Sequence, residues 1–155
     1  MDETLPAAET PPRFRGARSI KTSTGYLMVL RQGDHVFARL EELAEGEQIP
    51  SASFVGMGFL AAVTFGFYDF GKKAFDPKTF GQVELMNMTG TIAWQNGKPS
   101  IHAHGVVAGA DFAAVGGRLL GLEVGTGSLE ITVVVHAARL ERIVDPVIQA
   151  NILQL

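Results

Sequence analysis

Apolar and polar residues alternate strictly over residues 128–136, with Leu129, Ile131, Val133 and Val135 against Glu130, Thr132, Val134 and His136. A period of two puts successive side chains on opposite faces, so this stretch predicts a long strand with one buried face. Residues 26–31 predict another strand. Residues 51–68 predict two more separated by a kink, with Gly56, Gly58 and Gly66 at bulges or close backbone approaches. Helical spacing is clear over residues 35–45, where Val36, Leu40, Leu43 and Ala44 share one side and Arg39, Glu41, Glu42 and Glu45 take the other. Gly33-Asp34 ahead of it predicts a turn and an N-cap whose carboxylate accepts from the first helix amides; Gly46 ends it. His35 falls in the first turn, where the helix dipole favours a neutral imidazole.

Asn96-Gly97 predicts a tight hairpin turn, because both central residues tolerate positive φ. On the return strand, Ser100, His102, His104 and Val106 share one face, and Ile101, Ala103, Gly105 and Val107 the other. The two imidazoles therefore stand side by side. Turn residues around Gly71 and Asp76-Pro77 predict a connection over residues 69–81, and residues 109–112 a loop. Order resumes at Gly116-Gly117-Arg118-Leu119-Leu120. Residues 139–144 predict an edge strand, and Asp145-Pro146 the first turn of a short C-terminal helix.

Composition sharpens this picture. Of 155 residues, 46% are hydrophobic and only 19% charged, a low charge content that points to a subunit interface. The absence of cysteine excludes disulfides, thiol catalysis and cysteine-ligated zinc. No stretch has the pattern of a secretory signal or the length of a membrane span, so a soluble cytoplasmic protein is expected. A net charge of −3 disfavours the phosphate backbone as the main partner. Residues 1–17 are expected to be a disordered leader before a single domain over residues 18–155. Arg13, Arg15, Arg18 and Lys21 cluster at the leader's end and are the candidate DNA contacts. Arg15-Gly16-Ala17-Arg18 resembles an AT-hook, but Ala17 breaks the Arg-Gly-Arg core that the minor groove requires, and a solvated tail is the competing reading. Gly56-Met57-Gly58-Phe59-Leu60-Ala61 matches a dinucleotide-binding pattern formally, yet a strand follows it where that motif needs a helix. No carboxylate pair at defined spacing and no nucleophile elbow is present, so no catalytic residue is assigned and a non-enzymatic role is expected.

The order of LRQGDHV with its helix, SASFVGMGFL, VTFGFYD, VELMNMTGTI, IHAHGVV, GGRLL, EITVVV and LERIVD is similar to that of the plants-and-prokaryotes-conserved (PPC) domain. The resemblance implies an α+β fold, a mainly antiparallel sheet with flanking helices, assembling as a trimer. It also implies a DNA-binding or regulatory role, although the plant members owe that contact to a hook that this chain lacks.

Many bacterial members resemble one another in an H-x-H pair and a further histidine in a Gly-Gly-His segment, a set suited to zinc or another divalent metal. His102 and His104 match the pair, but Arg118 stands at the third position, and a guanidinium has no lone pair to donate. A complete metal site would need His136, Glu130, His35 or a neighbouring subunit. Alternatively, Arg118 with His102 and His104 forms a cationic pocket for a carboxylate or phosphate, or Arg118 bridges Glu123 or Glu130. Two functions stay open: a homotrimeric DNA-binding or regulatory protein without an assured cofactor, and a small-anion or metal-binding pocket protein or hydrolytic enzyme. Trp94, Met86 and Met88 are expected in the core or an interface.

Overall fold

The structure, a computed structural model, describes residues 19–155. Its elements in order are β1 (Ser19–Lys21), β2 (Gly25–Arg31), α1 (Val36–Gly46), β3 (Ser51–Asp69), β4 (Ala74–Gln95), β5 (Lys98–Ala108), β6 (Ala114–His136), β7 (Glu141–Val144) and β8 (Asn151–Gln154). The expected α+β class with flanking helices is corrected: of the described residues 69% are in strands and 8% are helical, with one helix among them. Segments read as linkers or a helix continue instead as strands. Pro77 lies inside β4, opposite Gly66 on β3, where the other edge of β4 is still free of β5, and an edge tolerates proline's missing N–H. After Asp145 the chain makes a turn and returns as β8 instead of forming a helix.

The strands form an 8-stranded sheet in the order β1-β2-β6-β3-β4-β7-β8, and β5 pairs with both β4 and β6. Because β3 also pairs with β4 and β6, these four strands complete a closed circuit of hydrogen bonding. Such closure demands strong curvature, and bulges supply it. The register slips between Gly56 and Gly58 toward β4, and at Leu60, Ala62 and Phe65 toward β6. Gly90, opposite Phe54 on β3, shows how tightly the turn of the sheet is packed: a Cβ there would lie 2.3 Å from Phe54 Cζ and 2.6 Å from the His102 carbonyl oxygen.

The inward faces of the strands bury Leu30, Phe54, Leu60, Met88, Ile92, Leu129, Ile131 and Val133, and α1 closes the core with Val36, Leu40, Leu43 and Ala44. Non-polar burial of this kind is the main stabilising term of the fold. Trp94 is buried and donates through Nε1 to the Ile49 carbonyl at 2.8 Å; Met88 is buried, whereas Met86 is exposed. Asp34 does not cap α1. Its buried carboxylate accepts from the Arg31 amide at 2.8 Å and from the Arg39 guanidinium, leaving His35 at the N-cap position without a side-chain bond to the helix.

The outward face of the same sheet carries exposed apolar side chains among polar ones such as Thr89, Glu130 and Thr132. Val29, Val55, Met57, Met86, Val106 and Val134 are exposed there, on neighbouring strands. Among the described residues no helix is long and apolar enough to cross a membrane.

Candidate functional site

The hairpin between β4 and β5 sets the site. Asn96 and Gly97 take φ of 51° and 77°, the left-handed values that a tight turn needs, and Gln95 pairs with Lys98. The register that follows puts His102 opposite Thr91 and His104 opposite Thr89. On the other edge of β5, His104 lies opposite Arg118 of β6. Directly opposed residues share a face. His102, His104 and Arg118 are therefore brought together on the outward face of the sheet, next to the exposed apolar residues. Ala103 and Gly105 point inward, and Gly105 is packed so closely that an added Cβ would meet Leu119 at 2.9 Å.

The two imidazoles approach edge-on, with Nε2 atoms 3.3 Å apart, so one ring donates to the other. Arg118 has its guanidinium 4.9 Å from the centre of the Phe75 ring. A second guanidinium, which the sequence reading missed, completes the cluster. Arg142 of β7 is 5% exposed and donates through Nη2 to Thr91 Oγ1, beside His102. Its signal in the sequence was a lone arginine alternating with apolar neighbours in LERIVD. The Nε–H groups of both Arg118 and Arg142 are buried without a hydrogen-bond partner. Among the described residues neither arginine forms an ion pair, and the bridge from Arg118 to Glu123 or Glu130 is not made.

These charges act on one another. Burial lowers the Arg142 pKa, as does the charge of Arg118, while burial lowers that of Arg118. Both remain cationic at neutral pH. His102 is pushed down to about 4, first by burial and then by Arg118, Arg142 and His104, so it is neutral under ordinary conditions. The cluster thus holds two fixed positive charges and a neutral imidazole without a compensating carboxylate.

Does this set fit a metal? The 3.3 Å separation of the imidazole nitrogens is about the edge of a tetrahedron with Zn–N bonds of roughly 2.0–2.1 Å. A third donor is missing. No group of three potential ligands occurs among the described residues. His136 contacts Ser53 Oγ at 2.9 Å through its Nε2, Glu130 stands on β6 opposite Val29 and Met57, and His35 is held by a backbone β-bridge to Glu123 ahead of α1. Two donors flanked by two guanidiniums are a poor host for a divalent cation and a good one for an anion.

Beside Arg118 and His104 opens a cavity of about 620 Å³. Its walls are aromatic, including Phe65, Tyr68, Phe75 and Phe80, because the arms of β3 and β4 extend beyond β5 and carry these rings past the cationic cluster. The candidate DNA contacts lie elsewhere: Lys21 is exposed on the edge strand β1, and Arg13, Arg15 and Arg18 fall outside the described residues.

Comparisons with known proteins agree with the fold. The Plants and Prokaryotes Conserved (PCC) domain matches residues 17–136. A crystal structure of a "putative DNA-binding protein" from Ralstonia eutropha JMP134 is 65% identical, with 90% of this chain and 96% of that chain covered and a TM-score of 0.87. Another so named, from Bacteroides thetaiotaomicron VPI-5482, is 28% identical over 88% and 95% of the two chains, with a TM-score of 0.82. The metal-containing protein AF0104 of Archaeoglobus fulgidus shares the fold at 24% identity, 87% and 97% coverage and a TM-score of 0.76. No curated protein matches the chain.

Proposed function

Because this chain belongs to the Plants and Prokaryotes Conserved domain family, we propose that it is a self-associating binding protein of that family whose site takes a small anion in place of a metal. The observation that carries this reading is the pair of guanidiniums, Arg118 and Arg142, with buried Nε–H donors and no anionic partner. Leaving such donors and charges unpaired is costly, and a carboxylate or phosphate satisfies both at once. Neutral His102 and its neighbour His104 add a hydrogen-bonding pair at the same place. A binding role fits best, since among the described residues no carboxylate is hydrogen-bonded to either imidazole and the Thr91 hydroxyl opposite His102 accepts from Arg142.

Self-association is supported by the exposed apolar face around Val55, Met57, Met86 and Val134, too hydrophobic for a surface left in water, and by the low charge content of the chain. A trimer is the assembly proposed. The site lies on that face, so assembly and anion binding are coupled in space.

Calorimetric titration of the chelator-treated protein with inorganic phosphate and acetate tests the reading. Binding that weakens at least tenfold in Arg118→Gln, with unchanged metal content, is expected; absence of any Arg118-dependent anion binding contradicts it. A second reading, contact with DNA, is favoured by the names of the Ralstonia and Bacteroides proteins. It places the contact on Arg13, Arg15, Arg18 and Lys21. Deleting residues 1–21 is then expected to abolish a salt-sensitive gel shift, and an unchanged shift would refute that arm.

A further inference from the structure

With an anion seated at Arg118, the geometry points to a particular ligand class: a small carboxylate attached to a planar apolar body, its head group on Arg118 and His104 and its body in the aromatic cavity. This inference rests on the anion reading above and adds the identity of the rest of the molecule.

Three observations carry it. First, Arg118 and His104 form part of the wall of the same open cavity as Phe65, Tyr68, Phe75 and Phe80, so charge and aromatic surface face one volume. At about 620 Å³ the space far exceeds what acetate or phosphate fills and lies within the usual range of small-molecule pockets. Second, the guanidinium is packed against the Phe75 ring, its carbon 4.9 Å from the ring centre, and a planar guanidinium is the group suited to a two-pronged contact with a carboxylate. Third, the rings are arranged to receive another. Phe65 and Phe80 meet edge-to-face at 6.0 Å and Tyr68 and Phe75 at 5.0 Å, and Phe67 at the rim is 78% exposed. Exposed aromatic surface at a cavity mouth gains free energy when a flat apolar group covers it.

Gly66 keeps this space open. It lies opposite Arg118 on β6, and a Cβ there would come within 2.6 Å of Leu120 Cδ1 and 2.9 Å of Phe75 Cδ1. Any side chain at that position displaces the ring on which Arg118 rests. The cavity also carries one negative group, Asp76, but Lys72 holds it, Nζ to Oδ1 at 3.1 Å, which reduces its opposition to an incoming anion.

The test uses the full chain and the probes benzoate, its neutral isostere benzamide, acetate and inorganic phosphate, titrated by calorimetry. Benzoate is expected to bind at least about tenfold tighter than either benzamide, which lacks the charge, or acetate, which lacks the ring. Phe67→Ala, which strips an exposed ring from the cavity without touching Arg118, is expected to weaken benzoate while leaving phosphate unchanged, and Arg118→Lys, which keeps the charge but not the fork, to weaken benzoate about tenfold. Equal affinities for benzoate, acetate and phosphate, all dependent on Arg118, would overturn the ligand class while sparing the anion site. If no probe binds and Arg118→Gln dissociates the oligomer, the guanidinium's partner is another subunit, and both readings fall. The comparison among probes uses the unaltered protein, so it holds even where a variant fails to fold.

Discussion

At His102, pKa depression makes the site visible in a simple titration. The imidazole protonates near pH 4 in the folded chain and near 6.5 when unfolded. Between those values the unfolded chain binds a proton that the native state refuses, so stability is expected to fall as pH drops through that window and to level off below it. Urea midpoints at several pH values check this: His102→Gln should show a shallower loss than the parent, and identical pH profiles would contradict the assignment. Arg118→Gln removes one of the charges responsible, so the His102 resonance is expected to titrate at higher pH in that variant, though still below the ordinary value because burial remains. An anion seated on the guanidiniums acts in the same direction, and its binding is therefore accompanied by proton uptake at mildly acidic pH.

Among the elements, β5 carries the site because it is wedged between β4 and β6, and Gly90 on β4 lets it sit there. Gly90→Ala forces Phe54 or the His102 backbone to move, and a loss of about 1–3 kcal/mol is expected in chemical denaturation, together with a changed His102 environment. A neutral substitution would show that the sheet can relax at this point. The hairpin and its pair of imidazoles were legible in the sequence because Asn96-Gly97 is a local signal and side-chain alternation follows from it. Helix α1 was legible for the same reason, its buried positions repeating within a few residues of one another. The long strands were not. In β3 and β4 the pattern is broken by Gly56, Gly58 and Pro77, and only pairing with strands distant in the chain shows that these residues bend a strand or sit at its edge. Arg142 stayed hidden because its contact with Thr91 spans fifty-one positions of sequence separation, and the aromatic cavity because it depends on how far two arms project past a third strand.

For the molecule as a whole, a closed circuit of curved strands leaves one outward face that is both apolar and marked by an uncompensated positive cluster. A charged residue in the middle of that face is expected to prevent assembly without unfolding the chain. Met57→Glu, measured by size-exclusion chromatography with light scattering, should give a folded monomer where the parent gives a trimer; a parent that is itself monomeric at micromolar concentration would remove the assembly from the account. The anion site is tested most directly at the two atoms that call for it. In ¹⁵N-resolved spectra of arginine side chains, titration with inorganic phosphate is expected to shift the Nε–H signals of Arg118 and Arg142 and to slow their exchange with water, with other arginines unaffected. Signals of these two groups that stay unchanged at saturating anion, or that are already protected and paired without it, would contradict the account.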